Sequence, residues 1–296
     1  MFKTQKKGNK IVKKLLITGK DSYIGTHVKQ WLEKEQDNYE VDELDVKDTN
    51  WRNVKFQGYD TILHVAGIAH VSSDPNLEDL YYKVNRDLAI EVAKKAKQDG
   101  VKQLIFMSSM IIYGKDEPIG NEKVINADTQ PSATDFYGKS KLEADEEIRK
   151  LSCNDFKTAI IRTPMVYGPN CKGNFPKLKR LAKLVPLFPD IENKRSMIYI
   201  DNLCQFIKNL IDKQENGIFY PQNREYISTK QIINIMAKTM NKKMHFIKLF
   251  NPIIKLLSRK VGIINKVFGN KVYSKKISGD FDYIVVENDE SIRRSV

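Results

Sequence analysis

Leu15-Leu16-Ile17-Thr18-Gly19-Lys20-Asp21-Ser22-Tyr23-Ile24-Gly25 is the stretch on which the fold turns. Its short apolar run reads as a buried strand, Gly19 as a tight turn and Ile24 as the start of a helix. Gly25 then lets helix and strand approach closely. The free N–H groups of the first helical turn, with the helix dipole behind them, suit a pyrophosphate. The middle position of the usual three-glycine pattern is Ser22, which lets a ligand approach the backbone less freely than glycine does. Taken alone, the turn has a plain competing reading as an ordinary strand–turn–helix.

Outward from it, short apolar runs alternate with helical periods. Strands are predicted at 14–18, 39–46, 61–66, 103–108 and 158–162, and helices at 24–35, 80–98 and 137–151. Strand–helix alternation implies an α/β fold with a parallel sheet covered on both faces. Right-handed crossovers make it a doubly wound, Rossmann-type sheet, with the site outside the carboxyl ends of the strands. After Arg162 the alternation fails: prolines at 164, 169, 176, 186 and 189 and glycines at 168 and 173 mark an irregular segment. A dinucleotide-binding domain is expected over 11–165 plus 195–220. A smaller, mainly helical substrate lobe is expected over 166–194 plus 221–296.

The 296 residues are 41% hydrophobic and 29% charged, the balance of a globular chain, and no apolar run is long enough to span a bilayer. Residues 1–10 read as a loose leader without the apolar core of a secretory signal. Cys153, Cys171 and Cys204 lack metal spacing and read as free thiols of a cytoplasmic protein, with no metal site expected. The formal charge of +13 is unevenly spread: six lysines and no acid fall in the first fourteen residues. Nine lysines and Arg259, again without an acid, fall between Asn241 and Ile277. No recognition motif accompanies this charge, so nucleic acid is not an expected partner.

Two motifs carry chemistry. Phe106-Met-Ser-Ser-Met-Ile-Ile-Tyr-Gly114 is a strand delivering hydroxyls at its carboxyl end, and Tyr137-Gly-Lys-Ser-Lys141 is a helix start. Residues i and i+4 of a helix share one face, about 5–6 Å apart at Cβ. A phenol, with its pKa of about 10, is a poor base at neutral pH unless nearby positive charge favours the phenolate. Lys141, one turn on, offers such charge, and Ser109 can hold a substrate oxygen against Tyr137. Each element alone has an ordinary structural explanation; their order after a dinucleotide turn is specific.

The chain resembles the extended short-chain dehydrogenases/reductases of the NAD-dependent epimerase/dehydratase family. The likeness runs from about Lys14 to Ile207 and includes the Thr18–Gly25 turn, His64-Val-Ala-Gly67, Val84-Asn85, Ser109, the Tyr137/Lys141 pair, Arg162-Thr-Pro-Met-Val-Tyr-Gly-Pro169 and Arg195-Ser-Met-Ile-Tyr-Ile-Asp201. The resemblance implies catalytic roles for Ser109, Tyr137 and Lys141. It implies cofactor contacts at Gly19, Ser22, Tyr23, Ile24, Gly25, Asp45, Val46, Val65, Ala66, Gly67, Asn85, Ser108, Tyr137, Lys141 and Thr163. Substrate contacts are implied at Ser109, Asn174 and Arg195, whose guanidinium fork would pair diphosphate oxygens. The cofactor is NAD or NADP. Asp42, Glu43 and Asp45 should repel a 2′-phosphate and so favour NAD.

Departures narrow the activity. Met110 and Ile111 stand where C4–C6 dehydratases of the family carry an Asp-Glu pair, and neither can move a proton. Met165 stands where many 4-epimerases carry asparagine. Gly168–Phe175, Val185–Pro189 and Lys266–Asn270 resemble bacterial reductases that act on the 4-keto group of a UDP-linked 6-deoxy-N-acetylhexosamine in surface-polysaccharide synthesis. The leading expectation is therefore a nucleotide-sugar 4-ketoreductase, and the second a UDP-sugar 4-epimerase with tightly bound NAD. A UDP-sugar is the expected substrate, and a homodimer is admitted. In Phe250–Phe268, Ile253, Ile254, Leu257, Val261 and Ile264 can share one helical face edged by lysines. Packing on the substrate lobe is the favoured reading of that face, and peripheral contact with an anionic membrane the sharper one.

Overall fold

The computed structural model describes residues 12–69, 74–249, 251–258, 262–279 and 281–296. The expected leader and Arg259, Lys260 and Val261 of the basic segment lie outside these residues. Each predicted strand and helix forms, with ends that shift for identifiable reasons. The central sheet comprises β1 (Lys13–Thr18), β2 (Tyr39–Leu44), β3 (Thr61–His64), β4 (Gln103–Ser109), β5 (Lys157–Thr163) and β6 (Gly217–Phe219). Its order is β6-β5-β4-β3-β1-β2 and every pairing is parallel.

From β2 the chain crosses β1 to reach β3, so the winding reverses between β1 and β3, where a doubly wound sheet opens its ligand crevice. Side-chain alternation puts Leu15 and Ile17 of β1 into one core and Leu16 into the other. The first core is closed by α1 (Tyr23–Leu32) and by a helix at Ile200–Lys213, the second by α2 (Leu88–Gln98) and α3 (Phe136–Lys150).

Strands β2 and β3 stop short of their predicted ends because their last partners are shared. The N–H groups of Gly19 and Lys20 both donate to the Leu44 carbonyl, and those of Val65 and Ala66 both donate to Thr18. The helix expected at 80–98 is interrupted by a wide π-turn at Tyr82–Asp87. That turn holds Asn85, which is fully buried. Asn85 Nδ2 donates to the Ile68 carbonyl at 3.0 Å and Oδ1 accepts from the Ile68 N–H at 2.9 Å, so the extra residue in the turn pins the segment after β3.

Beyond the sheet, short strand pairs join distant segments: Met165–Tyr167 with Met197–Tyr199, Leu187–Pro189 with His245–Ile247, and Lys123–Ile125 with Lys271–Tyr273. Helices Asn174–Leu184, Thr229–Thr239, Asn251–Ser258 and Gly262–Phe268 accompany them. The single apolar face expected in 250–268 is split. Ile254 packs on the core while Ile253 and Leu257 of the same helix are exposed, since neighbouring positions on a helix point about 100° apart.

Candidate active site

The site is built where β1, β3, β4 and β5 end side by side. Gly19, at φ +115°, adopts a backbone that other residues avoid, and a Cβ there would lie 2.7 Å from the Ala66 nitrogen. The turn is thus pressed against Val65 and Ala66. Ser22 caps α1, accepting from the Gly25 N–H at 3.2 Å, and this starts the helix at Tyr23. Its hydroxyl is a structural cap, an assignment that reading it as a substitute glycine misses. A Cβ on Gly25 would lie 3.0 Å from Ile17 and 3.2 Å from Val65, the close helix–strand packing expected of it. The first-turn N–H groups of Tyr23 and Ile24 have no acceptor within their own helix.

Gly67 is exposed along the same crevice, and a Cβ on it would meet Asn85 Oδ1 at 2.9 Å and Lys141 Nζ at 3.3 Å. Asp45 follows the end of β2, exposed, with one oxygen accepting from the Lys47 N–H. The open turn, the uncapped N–H groups, the bare Gly67 backbone and this carboxylate fit an extended dinucleotide. Other expected contacts are engaged elsewhere. Val46 is buried with Trp51 and Phe56 in the second core. The Ser108 hydroxyl donates to Asp145, and its carbonyl accepts from Thr163 Oγ1, so these two residues are tied to one another and to the frame.

Ser109, Tyr137 and Lys141 do converge. Ser109 ends β4 and caps the short turn Met110–Tyr113 by accepting from the Ile111 N–H at 3.2 Å. Asp135 caps α3 through the Gly138 N–H at 2.7 Å. A Cβ on Gly138 would lie 3.1 Å from the Ile111 carbonyl, so the glycine beside Tyr137 lets the helix start come down on the Ser109 turn. The Tyr137 ring stands edge-on to Tyr81, with centroids 5.7 Å apart. Burial pushes its phenol up to about 12, opposed by a hydrogen bond with Ser109. Lys141 Nζ donates to the Met107 carbonyl at 2.9 Å, and burial pulls its ammonium down to about 8. Beside it His64 is fully buried and paired through Nδ1 with Thr18 Oγ1 at 2.8 Å; burial first, then Lys141, pull it down to about 3. In the protein alone burial dominates the phenol, and the Lys141 ammonium is bonded to a backbone carbonyl.

Sequence reasoning passed over the frame behind these residues. Asp145, one turn after Lys141 on α3, is fully buried and takes a two-pronged ion pair from Arg162 of β5, at 2.9 and 3.0 Å. Ser108 and Arg149 also donate to it at 2.9 Å, and Arg162 reaches the Tyr113 hydroxyl at 2.6 Å. The i+4 spacing of Lys141 and Asp145 was the available signal. Met110, Ile112 and Tyr113 form an apolar cluster, and the two residues directly after Ser109, Met110 and Ile111, carry no group that moves a proton.

At the far side of the Ser109 turn, Arg195 sits 3.3 Å from Asp116, and its Nη2 donates to the carbonyls of Asn265 and Lys266. Its buried Nε has no partner among the described residues. Lys271, absent from the expected set, is also buried. It pairs with Asp116 at 3.0 Å and donates to the Gly114 carbonyl at 2.7 Å. Lys123 donates to the Tyr113 carbonyl at 2.6 Å. Two cations thus pair with one carboxylate here, with Lys123 close to Lys271. Asn174 is exposed at the first position of its helix, outside this cluster.

Fold and site together define a class, a doubly wound enzyme with a short-chain dehydrogenase centre. Residues 15–220 match the NAD dependent epimerase/dehydratase family, and the chain belongs to that family. It is 31% identical to a UDP-glucose 4-epimerase of Vibrio cholerae over 79% of this chain and 77% of that protein. It is 26% identical to the N-acetyl-alpha-D-glucosaminyl-diphospho-ditrans,octacis-undecaprenol 4-epimerase of Escherichia coli O157:H7, over 87% of this chain and 81% of that one. Among solved structures, a UDP-glucose 4-epimerase superposes with a TM-score of 0.75 at 17% identity, covering 95% of this chain and 96% of that chain. UDP-glucuronic acid 4-epimerase from Bacillus cereus, in complex with NAD, superposes with a TM-score of 0.73 at 18% identity, covering 95% and 97%. Among the described residues no helix is long and apolar enough to cross a membrane.

Proposed function

We propose that the chain is an NAD-dependent 4-epimerase of a diphosphate-linked sugar, with a UDP-sugar as the first substrate class to test. The observation that carries this reading is the likeness to the Vibrio cholerae enzyme across most of both chains, combined with the convergence of Ser109, Tyr137 and Lys141. It reverses the order of the expectations from sequence, which put 4-ketoreduction first.

In this reading a bound nicotinamide dinucleotide supplies the hydride acceptor and donor, and its positive ring adds the charge that Tyr137 lacks in the protein alone. Gly19, the first turn of α1 and Gly67 would hold it, with Asp45 on its adenosine side disfavouring a 2′-phosphate. Tyr137 takes the proton from the C4 hydroxyl and returns it after the sugar ring has turned. Ser109 holds that oxygen by the hydrogen bond it now gives Tyr137. Lys141 holds the cofactor ribose. The buried cations Arg195 and Lys271 face the diphosphate, and Arg195 Nε, without a partner among the described residues, would donate to it.

Met165 favours a second reading, reduction of a 4-keto sugar by the same residues, since it replaces the asparagine of many 4-epimerases. One experiment separates the two. An epimerase inverts C4 of UDP-glucose or UDP-N-acetylglucosamine without net change in nicotinamide absorbance, whereas a reductase consumes NADH only when given a 4-keto sugar.

A further inference from the structure

Among the described residues of 249–257, four large apolar side chains are left in solvent: Leu249 at 77% exposure, Ile253 at 58%, Leu256 at 67% and Leu257 at 43%. On the helix Asn251–Ser258, residues 253, 256 and 257 fall on one face by their i, i+3, i+4 spacing, opposite the side that Ile254 and Ser258 bury. Asn251 fixes the start of this helix by donating to the Asp190 carbonyl at 2.6 Å, so the apolar face is held outward by the fold. Lys248, Lys255 and Lys266 are exposed in the same stretch, and no Asp or Glu occurs between Asn241 and Ile277.

A stretch with an outward apolar face, exposed lysines and no acid of its own matches a bilayer with anionic headgroups better than it matches water. We propose that this corner of the molecule seats on an anionic membrane surface, with Leu249, Ile253, Leu256 and Leu257 entering the interface and the lysines meeting the headgroups. The following helix, Gly262–Phe268, supplies the carbonyls of Asn265 and Lys266 that hold Arg195. The helix that follows the seated one is therefore in direct contact with the proposed diphosphate site, which brings that site close to the lipid surface. The inference concerns the surface alone and does not depend on which reaction the active site performs.

The test is co-sedimentation of the full chain with phosphatidylcholine vesicles, with and without phosphatidylglycerol, at low and high salt. The expected result is binding that requires phosphatidylglycerol and is released by salt. Leu256→Asp should lose binding, and the double change Lys248→Glu/Lys255→Glu should weaken it by about tenfold or more. Both leave the thermal midpoint unchanged, because the altered side chains are exposed. Failure of the wild-type chain to sediment with anionic vesicles would overturn the proposal. So would equal binding by wild type and variants, which would place the contact on other lysines. A concentration-dependent dimer that Leu256→Asp dissolves, without vesicle binding, would overturn it in favour of a second copy of the chain on this face.

Discussion

Lys141 is the residue whose environment makes the sharpest demand. Its ammonium, pulled down to about 8 by burial, is present below that pH and lost above it. If it holds the cofactor ribose, the free protein should bind NAD with a Kd that is flat below about pH 8. Above that the Kd should rise by up to about tenfold per pH unit. Isothermal titration across the range reads this directly. In Lys141→Met the affinity should be weaker and the bend absent. A flat profile in the wild-type protein would remove the ammonium from cofactor binding. Arg195 makes a different demand. A diphosphate contact present equally in ground and transition states is uniform binding, so Arg195→Ala should raise KM by about tenfold or more while kcat changes little. A fall in kcat alone would move Arg195 from substrate binding to the support of the helix Gly262–Phe268 that it touches.

At the scale of elements, the ion pair between α3 and β5 sets how Tyr137 and Lys141 meet the strand ends. Removing one partner leaves the other charged and buried, so Asp145→Ala should destabilise the chain by about 3–5 kcal/mol in denaturant unfolding. A loss below about 1 kcal/mol would show that water reaches Arg162 and that the pair is not the frame described here. This network also marks where sequence reading stopped. The strands and helices of the sheet were legible because apolar period and turn chemistry act locally, and Gly19, Tyr137 and Lys141 were legible because their spacing is fixed by one element each. Asp145 and Arg162 lie on separate elements, and only the fold brings them together. The same holds for Lys271, which reaches Asp116 across the chain. At Ser22 the sequence showed the place in the glycine pattern, and the observed bond from the Gly25 N–H adds its role as helix cap. Ile253 and Ile254 were placed on one face, whereas on the helix Asn251–Ser258 they point about 100° apart and only Ile254 reaches the core.

For the whole molecule, the reversal of winding between β1 and β3 gathers the glycine turn, Gly67 and the Ser109–Tyr137–Lys141 group at the carboxyl ends of the strands, and Lys271 ties Asp116 to the Gly114 carbonyl that closes the Ser109 turn. A linear ligand with a dinucleotide at one side and a diphosphate at the other suits that layout, and so does chemistry at the point between them. The proposed centre of that chemistry is the phenol of Tyr137, which burial holds at about 12 in the protein alone and which is needed for the proton at C4. The most direct measurement is turnover of UDP-glucose and UDP-N-acetylglucosamine by wild type and Tyr137→Phe, with NAD supplied and C4 configuration read by nuclear magnetic resonance. The account predicts inversion at C4 by the wild-type enzyme with no net NADH formed. It predicts a kcat lower by about 10²–10⁴-fold in Tyr137→Phe, with NAD affinity retained. Tyr137→Phe activity within tenfold of wild type would contradict it.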